Sequence, residues 1–182
     1  MILFMMVSLD GYVEGPDHDL DWHNAGNEEF SKFAIDQLNE AGSLVFGRKT
    51  YELMASFWPS KAAREADHAV AKCMDEMPKI VVSDSLDKAD WNNTRLIKDD
   101  VTNQLKQLKS EAAKDLLVLG SNDLCVTLLE MELLDELRLM INPVVLGAGT
   151  PLLQGIKKPQ KLLLVKDHRF DSDNVLLTYY PA

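Results

Sequence analysis

The stretch LVFGRKTYE, Leu44–Glu52, changes character within one residue. Leu44, Val45 and Phe46 form the apolar run that a buried strand carries. Gly47 breaks it, and Arg48, Lys49 and Thr50 lead into a helical pattern. A glycine lets backbone amides approach an anion closely. The first turn of a helix adds unpaired N–H groups and partial positive charge. Arg48 supplies a fork suited to phosphate, Lys49 a point charge and Thr50 a hydroxyl. The same residues also fit a tight turn with two solvated cations, and the stretch by itself leaves both readings open.

The rest of the chain limits what such an anion can be. There are 182 residues, and 29 Asp and Glu against 19 Lys and Arg give a formal net charge of -10. A chain this acidic offers no broad basic surface, so nucleic acid is not an expected partner. A hydrophobic share of 46% and a charged share of 26% suit one globular domain spanning 1–182. The opening MILFMMVSLDGYVEG is apolar but has no basic n-region, so it reads as a first buried strand and not as a signal peptide. No apolar run approaches the roughly 20 residues of a membrane helix, and no membrane partner is expected. Cys73 and Cys125 both fall in helical patterns, which points to a reducing, cytoplasmic setting without a disulfide framework.

Along the chain, Ile2–Leu9 reads as a strand and Asp10–Asn24 as a long loop, the kind of segment that often carries function. Asn27 offers an N-cap, with Glu28 and Glu29 in the first turn. Phe30, Phe33, Ala34, Gln37, Leu38 and Ala41 keep helical spacing, and Gly42 is expected to stop that helix. Ser43–Phe46 is a short strand, Thr50–Phe57 a helix and Lys61–Asp75 a further single helix. Lys79–Val82 and Arg95–Ile97 are strands. Asp99–Ala112 is an amphipathic helix with Val101, Leu105 and Leu108 on one face. Leu116–Leu119 is a strand, and Ser121–Met131 a helix with Ser121 in the N-cap position. DELRLMINPVVLG, QKLLLVKDHRF and NVLLTYY read as strands joined by Gly, Pro and Asp turns. Strand–helix units followed by a run of strands predict an α/β fold. Its mostly parallel mixed sheet would carry helices on both faces and an antiparallel C-terminal edge. In such sheets ligands bind at the carboxyl ends of strands.

Two more strand ends resemble the first in chemistry. Ser83 ends KIVVS, where its hydroxyl suits a ribose or phosphate, although taken alone the stretch better fits a plain turn with Asp84 as a cap. In LLVLGSNDL, Gly120 ends a strand and Ser121 opens a helix, again an anion-ready junction. It is neither GxGxxG nor a GK[ST] phosphate loop. Taken together, the three junctions favour a phosphorylated cofactor lying across the sheet. Asp10 is the first candidate for a polar residue at a reaction site, with a turn residue before Gly11 as the equal alternative. PDHDLDWH contains His18 and His23 among carboxylates, but its spacing matches no common zinc site, so no metal is expected.

With these residues in place, the chain resembles the dihydrofolate reductase-like family. Within it, the reductase domain of bacterial riboflavin biosynthesis and its stand-alone relatives are the nearest branch. SLDGYVEG resembles the family's first strand and loop, and DLDW the stretch before its substrate helix. FGRKTYE is similar to its cofactor-phosphate motif, and DLLVLGSNDLCVTLLEMELLDELRLMINPVVLGAGTPLL to its C-terminal core. The resemblance covers nearly the whole chain. It implies a dihydrofolate reductase-like fold, a nicotinamide cofactor (NADPH, with NADH possible) and a homodimer. Leu139, Ile141, Val144 and Val145 would pair subunits or simply fill the core. By position, Gly47, Arg48, Lys49 and Thr50 would contact cofactor phosphates and Ser83 the adenosine end. Gly120, Ser121, Asn122 and Leu124 would hold the pyrophosphate and ribose, and Asp10 and Val13 would flank the nicotinamide, with Asp10 as the catalytic candidate. Trp22, Glu29, Phe30, Tyr51 and Phe57 would line the substrate pocket, while Phe33 and Met54 suit the core better.

The implied activity is hydride transfer to a small pterin-like or ribosylaminopyrimidine-like heterocycle. A true dihydrofolate reductase and a non-catalytic dinucleotide-binding protein are the alternatives. Two departures bear on it. The family often has Gly-Gly where this chain has Gly120-Ser121, a pair that carries a cis peptide in true dihydrofolate reductases. Asp84 stands where many relatives place a base, and a carboxylate there suits a free 2′-hydroxyl better than a 2′-phosphate.

Overall fold

The computed structural model describes residues 1–182. Ile2–Ser8 forms β1, buried along almost its whole length, as an unbroken apolar run requires of a strand inside a parallel sheet. The loop after it is less irregular than expected. It holds a short strand, β2 (Tyr12–Glu14), and a 3-10 turn at Pro16–His18. Helix α1 (Glu28–Glu40) starts at Asn27, whose side chain accepts the Phe30 N–H at 2.7 Å.

α1 runs straight into β3 (Ala41–Gly47). Ala41 turns extended while its N–H still reaches the carbonyls of Gln37 and Leu38. Gly42 therefore does not stop the helix. It sits inside the strand, where a Cβ would lie 3.1 Å from the Lys114 side chain. Helix α2 is Arg48–Phe57. The single helix expected over Lys61–Asp75 is two, α3 (Lys61–Ala66) and α4 (His68–Glu76). Asp67 breaks it, because its carboxylate accepts the Val70 N–H at 3.0 Å and caps a new helix instead of continuing the old one.

The remaining elements are β4 (Lys79–Val82), β5 (Thr94–Ile97), α5 (Val101–Glu111), β6 (Asp115–Val118) and α6 (Asn122–Glu130). They are followed by β7 (Glu136–Asn142), β8 (Thr150–Pro151), β9 (Leu162–Arg169) and β10 (Val175–Pro181). The main sheet has the order β5-β4-β3-β6-β1-β7-β10-β9, and β2 pairs with β8 beside it. Every pair from β5 to β7 is parallel. β10 alone runs the other way, antiparallel to β7 and β9. The carboxyl ends of β4, β3, β6, β1 and β7 therefore share one edge of the sheet.

Alternation along β1 divides the core between the two faces. Leu3, Met5 and Val7 pack with Leu105, Leu124 and Leu128 of α5 and α6. Ile2 and Phe4 pack on the other face with Leu38, Tyr51 and Met74 of α1, α2 and α4. Leu139 of β7 belongs to the first of these clusters and the partly buried Ile141 packs against it, as the core reading expects.

On the second face, Lys79 at the start of β4 is fully buried. Its ammonium donates to the carbonyls of Asp75, Met77 and Asn92 at 2.8 to 3.0 Å and lies 4.4 Å over the Trp91 ring. Desolvation pushes its pKa down to about 8 against the pull of Asp75.

Candidate functional site

Three of the junctions read from the sequence lie side by side. Ser83 follows β4, Gly47 ends β3 and Gly120 follows β6, and these strands are neighbours in the order β4-β3-β6. The Gly47 N–H donates to the Gly120 carbonyl at 3.0 Å. A Cβ on Gly47 would come within 2.3 Å of Ser121 Oγ, so the glycine is there for space; its φ of -77° suits any residue. Thr50 Oγ1 lies close against Gly120. The Gly120-Ser121 peptide is cis.

From this pair of strand ends, α2 and α6 both begin. Neither receives a side-chain cap, and nor does α5, whereas Asn27, Ser60 and Asp67 cap α1, α3 and α4. The first-turn amides of two neighbouring helices are thus left without side-chain partners. Ser121 occupies the N-cap position of α6 without capping it. Arg48 is partly exposed and pairs with Glu52 at 3.0 Å, one turn along the same helix. Lys49 is exposed. Uncapped amides, a close backbone approach and two cations are the donor set that a pyrophosphate requires, so these residues fit a dinucleotide.

Other side chains named from the sequence are already engaged within the protein. Ser83 Oγ accepts the N–H groups of Leu86 (2.9 Å) and Ser85 (3.2 Å), which is the plain-turn reading. Asp84 is exposed beside it. Asn122 is buried, and its Oδ1 accepts the Leu153 N–H at 2.6 Å. The Leu124 side chain is core, which leaves only its backbone to face a ligand. Val13 packs against the same cluster.

Asp10, at the carboxyl end of β1, accepts three donors. These are the Ser8 hydroxyl at 2.7 Å, the Leu146 N–H at 3.1 Å and the Gly147 N–H at 2.7 Å. Desolvation alone would raise its pKa, but these hydrogen bonds outweigh it and hold the carboxyl below its ordinary range. These three donors engage the Asp10 carboxyl within the protein and favour its ionised form.

The expected substrate residues divide. Tyr51 is buried, and its hydroxyl accepts the Trp91 N–H at 3.0 Å. It is a core residue, because α2 must turn one face inward directly after the cradle. Both Glu29 oxygens are taken, one by His168 Nε2 at 3.0 Å and one by the Asp171 N–H at 2.7 Å. The Asp171 amide, then His168, hold its pKa down. Glu29 therefore ties α1 to the β9–β10 hairpin. Trp22 is partly exposed, with its Nε1–H on the Asp19 carbonyl and its ring edge-on to His23. Phe30 is partly buried beside Phe33, and Phe33 packs between Phe4 and Phe170 as core. Phe57 remains 42% exposed at the end of α2, and Met54 packs inward.

Sequence reading missed a further group on this edge. Glu14 accepts the Thr150 hydroxyl at 2.5 Å and pairs with His18 Nδ1 at 2.9 Å. Desolvation opposes ionisation of Glu14, but Thr150, His18 and the charge of Lys49 prevail and lower its pKa. His23 is largely buried, and desolvation pushes it down to about 4 despite Asp19. Next to it, Asn24 links the first loop to Asn142 at the end of β7 and to Ser172 and Asn174 of the hairpin. The one local signal for this group was GAG, Gly147–Gly149. A Cβ on Gly149, which has φ +140°, would strike the Glu14 carbonyl at 2.0 Å.

Fold and site together define an α/β protein of dihydrofolate reductase-like architecture in which two uncapped helices start from neighbouring strand ends at the carboxyl edge of the sheet. Residues 1–176 match the model of the RibD C-terminal domain, and the chain belongs to that family. It is 30% identical over 181 residues to the uncharacterized protein YyaP of Bacillus subtilis (strain 168), covering 99% of this chain and 94% of that protein. Solved structures that share its fold include two reductases. One is the diaminohydroxyphosphoribosylaminopyrimidine deaminase/5-amino-6-(5-phosphoribosylamino)uracil reductase of Thermotoga maritima. It aligns with a TM-score of 0.70 and 17% identity, over 100% of this chain and 56% of that one. The other is dihydrofolate reductase from Enterococcus faecalis in complex with NADP(H), with a TM-score of 0.65 and 14% identity, over 99% and 95%.

Proposed function

We propose that the chain is an NAD(P)H-dependent reductase that transfers hydride to a small heterocycle of pterin or ribosylaminopyrimidine type. The observation that carries this reading is the pair of uncapped helices starting from adjacent, mutually bonded strand ends. Such a site suits a dinucleotide pyrophosphate, and few other small anions would need both helices. The family membership and the two reductases of like fold support the same reading.

When bound, the cofactor supplies the hydride. The chain supplies orientation. Backbone amides of Arg48, Lys49 and Thr50 and of Ser121, Asn122 and Leu124 hold the pyrophosphate, with Gly47 and Gly120 giving clearance. Lys49, and Arg48 once released from Glu52, meet the remaining negative charge, so NADPH is the preferred form. Val13 lies behind the nicotinamide. Trp22, Phe30 and Phe57 supply flat apolar surface for the heterocycle.

The cofactor half is tested by titrating NADPH and NADH against wild type and Arg48→Ala. Weakening of NADPH alone by about tenfold places Arg48 at the 2′-phosphate, equal weakening places it at the pyrophosphate, and no binding of either sinks the reading. The substrate half is tested by cofactor oxidation with dihydrofolate and with the ribosylaminopyrimidine 5′-phosphate. Consumption of dihydrofolate alone makes it a true dihydrofolate reductase. Tight cofactor binding with neither consumed favours a binding protein.

The reading includes a cytoplasmic homodimer. Cys73 and Cys125 are free thiols, and no helix is long and apolar enough to cross a membrane. The open edge strand β9, with Leu163, Leu164 and Val165 about half exposed, is the surface offered to a second copy. Sedimentation of Leu164→Glu as a monomer and wild type as a dimer would support it; a monomeric wild type would remove it.

A further inference from the structure

Between β7 and β9 the chain crosses the carboxyl edge of the sheet, and three side chains, two from the loop after β1 and one from α6, hold it there. Asp10 takes the amides of Leu146 and Gly147. Glu14 takes the Thr150 hydroxyl, and Asn122 the Leu153 amide. Of these clasps Asp10 is the one at the end of β1, the strand on the far side of β6 from the cradle. It is fixed in turn by the buried Ser8, whose hydroxyl donates to Asp10 and accepts the Tyr12 N–H. The Leu9 N–H donates to the Val144 carbonyl at 2.8 Å, so the two segments run side by side. The residues flanking this contact are Leu9, 66% exposed, and Val145, 67% exposed, the two most exposed large apolar side chains of the protein.

We propose that Asp10 is a positioning residue of the reductase site. It clamps the Leu146 and Gly147 peptide groups to the end of β1 and so sets Leu9 and Val145 as a paired apolar lip against which the reacting rings are held. The inference rests on the reductase reading for its kinetics, but the clamp itself can be measured without turnover. Two facts favour this role over the simpler ones. A proton donor would not be held ionised by two amides and a hydroxyl. A mere loop anchor would leave unexplained why the loop it anchors presents a large apolar side chain to solvent, next to a second one, at the edge where ligands of such sheets bind.

The experiment compares Asp10→Asn, which keeps one acceptor oxygen and loses the charge, with Asp10→Ala, which loses both. In Asp10→Ala the KM for the heterocycle should rise about tenfold while kcat changes less than about threefold, with Asp10→Asn between it and wild type. The pH profile of kcat should keep its wild-type limbs. Amide exchange should be slow at Leu146 and Gly147 in the wild type and fast in Asp10→Ala. A fall in kcat of about 100-fold with loss of an ionisation limb would make Asp10 the acid and overturn the proposal. Unchanged kinetics with faster exchange would reduce it to an anchor and also overturn it.

If neither Asp10 variant folds, Leu9→Ser and Val145→Ser replace them, and an unchanged KM in both rejects the lip. If the wild type turns over no heterocycle, the reductase reading fails separately. The lip is then judged on NADPH affinity, which Leu9→Ser and Val145→Ser should each weaken about threefold and which, left unchanged, would reject it.

Discussion

Lys79 and Lys49 occupy opposite edges of the same sheet and put the same side chain to opposite uses. Lys79 opens β4, fully buried, with three carbonyl acceptors and a tryptophan face around its ammonium. Lys49 follows the end of β3, exposed, in the first turn of an uncapped helix. The difference lies in what the backbone offers each of them. At the amino edge, a helix end and a turn present carbonyls that need a donor, and Lys79 satisfies them. At the carboxyl edge, helix starts present N–H groups that need an acceptor, and no cation can satisfy those. That edge is chemically suited to an anion, which is the basis of the cofactor proposal.

The comparison breaks first at Lys79. Lys79→Met keeps the stem but leaves three buried carbonyls without their donor, and should destabilise the fold by about 3 kcal/mol. Chemical denaturation measures it, and NADPH affinity in the surviving folded fraction should be unchanged. The pH dependence has a definite sign. Folding lowers the Lys79 pKa to about 8. Between there and the ordinary lysine range the unfolded chain holds more protons, so wild-type stability contains a component that rises with pH across that window. Lys79→Met should lack it. A wild type and a variant with identical slopes would mean that Lys79 titrates normally in the fold.

At the other edge, Gly47 tests whether space or charge makes the cradle. Gly47→Ala adds no charge and needs no unusual backbone, yet its methyl would meet Ser121 Oγ at 2.3 Å. NADPH affinity should fall about tenfold with little loss of thermal stability, and Ser121→Gly in the same chain should recover part of it. Recovery is the informative outcome. If the double variant binds no better than Gly47→Ala, the two strand ends do not act as one site.

The edges also differ in how far the sequence alone reveals them. The cradle was legible because its parts are local: an apolar run, a glycine, two cations and a helix start lie within Leu44–Thr50. The layer order followed from the same alternation of strand and helix patterns. Tyr51 was misplaced because an aromatic residue suits a core and a ligand pocket equally, and only the helical phase after Gly47 turns it inward. The engagement of the Asp10 and Asn122 side chains was illegible for another reason. Their partners, Leu146 and Gly147 in one case and Leu153 in the other, lie far along the chain. A carboxylate or amide before a turn looks the same whether its acceptor faces solvent, ligand or a distant amide. The burial of Lys79 was not legible, since a lysine at the start of a strand is ordinarily solvated, and here Trp91 folds back against it.

Asp84 sharpens the comparison most finely, because it is an exposed carboxylate placed where the cradle otherwise accepts negative charge. Its neighbour Ser83 is bound up in the turn, so the side chain at position 84 is the free polar group at the end of β4. If the adenosine ribose lies over this turn, Asp84 opposes a 2′-phosphate and accepts from a free 2′-hydroxyl. Arg48 and Lys49 pull the other way from the end of β3. Asp84→Arg should therefore tighten NADPH about threefold and weaken NADH slightly, which paired titrations at low salt would register. The change should shrink at high salt, because both partners are exposed. Equal effects on the two cofactors would move the ribose off β4, leaving the cradle to the ends of β3 and β6 alone.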